Sequence, residues 1–426
     1  MTTHNAPTRR TALKTLAGGA AAAAMPLSAR FTHAQSAAPI RIGFQQHRTG
    51  IGAAYGRWYG RTTEAAVARI NEEGGINGRP VEIIAEDDGT DPKRGAEVVE
   101  KFANQHECDV VLGPLFSNVV TGSAPRAAEL KMPYFVVSEG THVSSGALNR
   151  YTLQPGITDV KSQVIAMAPF ITDTLGKKVT MIFPDYGFGY DHRDALGPAI
   201  EAQGGEILAR IAIPPSETSF TRYFPQIPRD TEVLYHVMVG PAVLTFVKEL
   251  GEFFGGQGPE LFGFIDSLEA VAMDSPGLDF LEGSHFWEGM CRHEQPEESA
   301  YETAYRDAVG VDARGASVND PSEVSTYAHM FGCWETLHII KAGMETAGYR
   351  DARDRQSLIE AVEAMDEIPE SLAHPQGPKR FNGRTHQVFG RQFISQLRDG
   401  YLARVRTTPI EASIYPDEVD YTRQAF

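Results

Sequence analysis

The feature that most narrows the possible folds is a repeated alternation of short apolar, β-rich runs with helix-length stretches. "IRIGF" (40–44), "VEIIA" (81–85), "DVVLG" (109–113), "YFVVS" (134–138) and "VTMIF" (179–183) read as strands, followed by 206–211, 233–239 and "LFGFI" (261–265). Helices are expected at 55–73, where Thr62, Ala66 and Ile70 recur at four-residue steps, and at 92–106, 118–130, 159–176, 190–203 and 241–255. Strands that are apolar throughout suit parallel sheets covered by helices on both faces. The run is long for one sheet, and the Pro/Gly-bearing "LQPGITD" (153–159) reads as a seam. The fold class is therefore α/β, with two doubly wound parallel-sheet lobes rather than one barrel. A helical block at 321–347 carries Tyr327, Phe331, Trp334, His338 and Lys341 in register, and a strand-like pair at 391–397 and 401–406 follows.

Punctuation is clearest in "INEEGGINGRPVEIIAEDDGTDP" (70–92). Gly74-Gly75 ends a helix, because glycine reaches the left-handed cap without a Cβ clash. Asn77-Gly78 is a tight-turn pair, and Asp91-Pro92 supplies an N-cap and a first-turn proline. "DDGTD" (87–91) begins like a calcium loop but lacks the later glycine and the closing glutamate, so it reads as turn and cap.

Length and charge exclude some classes. A chain of 426 residues accommodates two domains, and a formal charge of −16 argues against a nucleic-acid partner, which needs a basic face. The first 34 residues stand apart: they hold Arg9, Arg10, Lys14 and Arg30 and no acid. "TRRTALK", then "LAGGAAAAAMPLSA", then "THA" at 32–34 follow the order of a twin-arginine export signal cleaved after Ala34. The apolar part is too short for a membrane span, and no other stretch reaches about 18 apolar residues. The exported chain is expected in the periplasm, with no direct membrane insertion. Cys108, Cys291 and Cys333 allow at most one disulfide and have no zinc spacing. Cys108 beside "VVLG" reads as a small buried hydrophobe.

No G-x-S-x-G, H-E-x-x-H, C-x-x-C or phosphate loop is present, and no catalytic, metal or cofactor site is expected. In "PDYGFGYDH" (184–192), His192 occupies the third glycine position of a dinucleotide fingerprint. Its rings, Tyr186, Phe188 and Tyr190, lie at a strand's carboxyl end. They read as a wall for a small organic ligand or as packing on the neighbouring helix. Ser117, past strand 109–113, reads equally as a carboxylate anchor at a helix start or as an ordinary N-cap. Ser138, Glu139, Gly140 and Thr141 follow the next strand, Asp266 follows 261–265, and "HRTGIGAAYG" (47–56) leads to Tyr55. Ligands of open α/β sheets sit beyond the strands' carboxyl ends, where all of these positions could converge.

The ordered set "TG…YG", "INEEGGINGRPVEII", "EDDGTDP", "VLGPLFS", "MPYFVVSEGT", "DYGFG" and "VSTYAH" resembles the periplasmic leucine/isoleucine/valine-binding protein family, substrate-binding components of branched-chain amino acid ABC transporters. The resemblance implies a type I periplasmic binding protein: two lobes joined by a three-strand hinge that close on a ligand. Lobe one would comprise 39–155 plus 288–375, and lobe two 156–287 plus 376–426. It implies that the serine at Ser117 and the threonine at Thr141 hold the ligand's carboxylate and amino group, with the carbonyl of Glu139 and the tyrosine at Tyr55. It also implies that Asp266, in place of a glutamate, pairs with the ligand's ammonium. The loop aromatic falls on Phe188, and a second-lobe tyrosine falls on Val239. The family's disulfide positions are Thr90 and Phe116, so both cysteines are missing here. Glu139 is unusual; a side chain facing the cleft would favour a cation and disfavour a bare carboxylate. Related members bind aromatic acids, amides or urea. The function implied is capture of a small-molecule ligand, an amino acid or related acid or amide, for an ABC transporter permease. The alternatives are a sensor module of the same fold signalling to a partner protein, and an exported hydrolase, for which no nucleophile–base motif exists.

Overall fold

The computed structural model describes residues 38–144, 148–240, 242–264, 279–290, 299–399 and 401–426. The expected export segment, Asp266 and Cys291 lie outside the described residues.

Strands β1 (Ile40–Gln46), β2 (Val81–Asp87), β3 (Val110–Leu112), β4 (Tyr134–Phe135) and β5 (Thr152–Leu153) form a parallel sheet in the order β2-β1-β3-β4-β5. The second half of the chain supplies β6 (Lys178–Pro184), β7 (Glu206–Ile213), β8 (Val233–His236), β9 (Glu260–Phe264) and β10 (His285–Glu288). After them come β11 (Glu367–Ile368), β12 (Lys379–Asn382), β13 (Gln387–Gly390), β14 (Phe393–Arg398) and β15 (Tyr401–Thr407). The second sheet runs β15-β14-β10-β9-β8-β6-β7, parallel except where β14 and β15 join as an antiparallel edge. β11, β12 and β13 make a small antiparallel sheet of their own.

Helices α1 (Ala53–Glu72), α2 (Pro92–Asn104), α3 (Ser117–Glu129) and the single turn α4 (Thr141–Ser144) belong to the first half. α5 (Val160–Phe170), α6 (Gly187–Ala202) and α7 (Val243–Phe254) belong to the second. The expected helix 159–176 is α5 followed by a wider turn at Ile171–Leu175. Asp159 and Asp91 cap α5 and α2, accepting from the amides of Ser162 and Arg94.

Each sheet buries its own core. Ile42 and Phe44 of β1 pack with Trp58 and Ile70 of α1 and with Phe331, Trp334 and Leu337 of the helix Tyr327–Ala347. In the second sheet Tyr235, Phe262 and Trp287 stack across neighbouring strands at centroid separations of 5.2–6.0 Å. Phe381 and Val388, from β12 and β13, pack into the first core. The chain therefore passes between the two cores after β5, after β10 and between β13 and β14.

Both parallel sheets reverse their winding once, at β1/β3 in the first and at β6/β8 in the second. The loops leaving β3, β6 and β8 open at these two points, where the strand ends leave a crevice.

Candidate functional site

That crevice holds a small cavity, about 30 Å³ as water would fill it, lined by Leu115, Phe116, Ser117, Ser138, Glu139, Tyr186, Phe188, Val239 and Phe264. Five of the nine follow β3 and β4, and the other four lie past β6 and β8 and at the end of β9. The geometry thus brings together Ser117, Glu139, Tyr186, Phe188 and Val239 from residues far apart in sequence. Tyr186 and Val239 also border an open hollow reaching Ile51, so the cavity continues outward between the two halves.

Ser117 is the first residue of α3, the N-cap is Phe116, and no side chain caps this helix. The ordinary N-cap alternative is thus not realised. Ser117 is 3% exposed, and its Oγ has no hydrogen-bond partner among the described residues. A buried hydroxyl without a partner costs about 1–3 kcal/mol, a cost that a ligand's polar group would remove. The first amides of a helix lack intrahelical partners, and the helix dipole favours an anion there.

The loop before Ser117 is fixed from below. The Phe116 N–H donates to His47 Nε2 at 3.2 Å, and His47 Nδ1 lies 2.7 Å from Asp88 Oδ1. An amide can only donate, so Nε2 is the acceptor and the ring proton sits on Nδ1, donating to Asp88. Asp87 fastens the glycine-rich loop, accepting from the amides of Arg48, Thr49 and Gly89 and from the Thr49 hydroxyl. Burial would raise the Asp87 pKa, but these bonds outweigh it and hold the carboxyl below its usual range. The acids of "DDGTD" therefore serve as turn and cap.

Glu139 faces the cavity and is 5% exposed. Its Oε1 accepts from Gln163 Nε2 at 2.7 Å and lies 2.8 Å from His329 Nε2. Its backbone carbonyl accepts from Val160 N at 2.8 Å, so that oxygen is committed to the start of α5 rather than to the cavity. Thr141 is also committed to α5: its Oγ accepts from the Lys161 amide at 2.9 Å. Gly140 adds no group to the wall but packs closely, since a Cβ there would sit 2.9 Å from that of Ser117. Tyr55 lies behind the wall, its ring edge-on to Phe116 at 5.9 Å. Tyr55, Gly140 and Thr141 thus surround the cavity without lining it.

The aromatic side is continuous. Tyr186 stacks on Phe188 at 6.2 Å, and Phe188 meets Phe264 at 5.7 Å and His192 at 4.7 Å. Burial pushes the His192 imidazole down to about 3, so it is neutral at ordinary pH and brings no charge to this wall. The two glycines of "GFG" have packing roles. A Cβ on Gly187 would lie 2.8 Å from the His142 ring, and one on Gly189 would lie 1.9 Å from the Pro184 carbonyl oxygen. His142, from α4, reaches across to Asp191 of α6, with Nδ1 2.5 Å from Oδ2. Sequence reasoning missed His329 and Gln163 as neighbours of Glu139, although His329 closes the "VSTYAH" stretch already singled out.

Two sheet halves meeting at their switch points around a cavity with an orphan hydroxyl, that of Ser117 among the described residues, define a two-lobed solute-binding protein. The chain belongs to the family described as Periplasmic binding protein, which it matches over residues 39–405. It is 24% identical over 337 residues to the Leu/Ile/Val-binding protein BraC3 of Rhizobium johnstonii, covering 79% of this chain and 86% of that one. Its fold is shared with a solute-binding protein of an ABC transporter from Rhodopseudomonas palustris in complex with p-hydroxybenzoic acid, with TM-score 0.74, 19% identity, and coverage of 87% and 98%. It is also shared with a branched-chain amino acid transporter substrate-binding protein from Streptococcus pneumoniae in complex with isoleucine, with TM-score 0.68, 18% identity, and coverage of 87% and 100%. The protein is a periplasmic solute-binding protein of the ABC-transporter type.

Proposed function

We propose that this chain captures a small organic molecule with an apolar body between its lobes and delivers it to an ABC transporter permease, without catalysing a reaction on it. The lobes would be residues 39–155 with 289–390 and 421–426, and 156–288 with 391–420; this moves 376–390 and the last residues from the second lobe to the first, because Phe381 and Val388 lie in the first core and Phe426 packs against it. The observation that carries the reading is the unpartnered Ser117 hydroxyl, buried at the head of α3 inside the cavity between the halves. A polar end of the ligand fits there, and Tyr186, Phe188, Val239 and Phe264 fit its apolar body. Asp266 remains a partner for an ammonium on the ground of the resemblance alone. The ligands named for the structural relatives, p-hydroxybenzoic acid and isoleucine, both join a polar end to an apolar body. Export by the twin-arginine route rests on Arg9-Arg10 and the apolar run after them.

The test is a thermal-shift screen of amino acids, aromatic acids and amides, with hits followed by small-angle scattering. A binder that compacts the molecule supports capture by closure, since a ligand shifts an equilibrium only through its differential affinity for the two states. Turnover of a bound compound would overturn the non-catalytic reading.

A further inference from the structure

The wall of the cavity contains a carboxylate whose fixed orientation restricts the ligand. Among the described residues the hydrogen bond and the ion pair of the Glu139 side chain both go to Oε1: Gln163 Nε2 at 2.7 Å and His329 Nε2 at 2.8 Å. Both partners are themselves held. Gln163 Nε2 also donates to the Thr158 carbonyl at 2.9 Å, and Gln163 Oε1 accepts from Trp287 Nε1 at 3.3 Å. The His329 ring packs edge-on against Phe264 at 5.1 Å. Swinging the carboxylate out of the cavity would break these contacts, and neither partner can rotate away cheaply. Oε2 is left with acceptor lone pairs and no donor from the described residues.

We propose that Glu139 is a specificity-determining residue, selecting ligands that carry an N–H donor, an ammonium or a carboxamide, and rejecting simple carboxylates. This rests on the solute-binding reading of the same cavity. A donor satisfies Oε2, whereas a carboxylate with no N–H group meets another anion in a space lined by Phe116, Phe188 and Phe264, where little water is available to screen the two.

Three compounds with a common ring test this by calorimetry on the wild-type protein: benzylammonium, benzamide and benzoate. Benzylammonium and benzamide are expected to bind at least about tenfold more tightly than benzoate, the range of one charge-assisted hydrogen bond. Glu139→Gln is expected to weaken benzylammonium by about tenfold and to strengthen benzoate. Benzoate binding as well as or better than the other two, or none of the three binding, overturns the proposal. The wild-type ranking requires no substitution, so a variant that fails to fold does not leave the question open. Tight benzoate binding that compacts the molecule would remove the role of Glu139 and leave solute capture standing; failure of the whole compound screen would remove capture itself.

Discussion

Ser117 combines features that ordinary packing does not require. Its hydroxyl is buried and has no partner among the described residues, its helix has no side-chain cap, and its loop is anchored through Phe116 to His47 and Asp88. Such a group is stabilised only when something binds. Ser117→Ala is expected to weaken binding of the physiological ligand by about ten- to a hundred-fold, with little loss of folding stability, because no native hydrogen bond is removed. Calorimetry and thermal denaturation of the same variant check both halves; unchanged affinity would take Ser117 out of the site. Ser117 was legible in the sequence because a serine past a strand and before a helix has few roles. Thr141 looked equivalent, but its hydroxyl serves the Lys161 amide. That choice depends on how α5 approaches after the first passage between the cores, which local sequence does not encode. Glu139 is unusual at its position in the sequence, but its fixed rotamer depends on Gln163 and His329, which join it only in three dimensions.

At the scale of elements, the strand–helix alternation told most of the story, since period and turn residues are local signals. β1, β2 and β6 through β9 fall where apolar runs predict them, with ends shifted by a few residues. The two-residue strands β5 and β11 are too short to show a pattern, and β12 and β13 mix polar with apolar residues. The small sheet they join is tied to the first half by Glu363, on the helix Arg355–Glu363. Glu363 takes Arg150 Nε and Nη2 at 2.8 and 2.7 Å and His386 Nε2 at 2.9 Å. Burial would raise its pKa, but Arg150 and His386 outweigh this and hold it below the usual range. A lowered carboxyl pKa gives stability that is present above the unfolded value of about 4.3 and is lost as pH falls through the folded one. Glu363→Gln is expected to cost about 3 kcal/mol near neutral pH, since it leaves Arg150 poorly paired. The gap should close below about pH 4. Denaturant midpoints at several pH values decide it, and a gap independent of pH would contradict the assignment.

For the molecule as a whole, two properties follow from how the halves are built and joined. His142 sits against Gly140 from its own half and Gly187 from the other, and contacts Asp191 across the crevice. A partly exposed pair of this kind contributes about 1 kcal/mol to the closed arrangement. His142→Ala is expected to raise the ligand's Kd by about fivefold, mainly through faster release, and Asp191→Asn by a similar factor, with no additivity in the double variant. Stopped-flow release rates test this, and independent effects would contradict a shared contact. Burial also keeps His192, His236 and His338 neutral, pushing them down to about 3, 4 and 4. A histidine with a depressed folded pKa destabilises the fold as pH falls below its unfolded value of about 6.5. Each of the three should remove about 1.4 kcal/mol per pH unit from there down to its folded value. Denaturation curves that decline from about pH 6 support this; a flat profile down to pH 5 would contradict it.

The binding effects predicted for Ser117 and His142 assume that the solute occupies the crevice where the two sheets reverse their winding. A crystal structure of the protein with its co-purifying ligand, identified beforehand by native mass spectrometry, tests that assumption most directly. The expected density touches the Ser117 hydroxyl from one half and Phe188 from the other. Density confined to one half, or in a hollow away from both residues, would contradict the account.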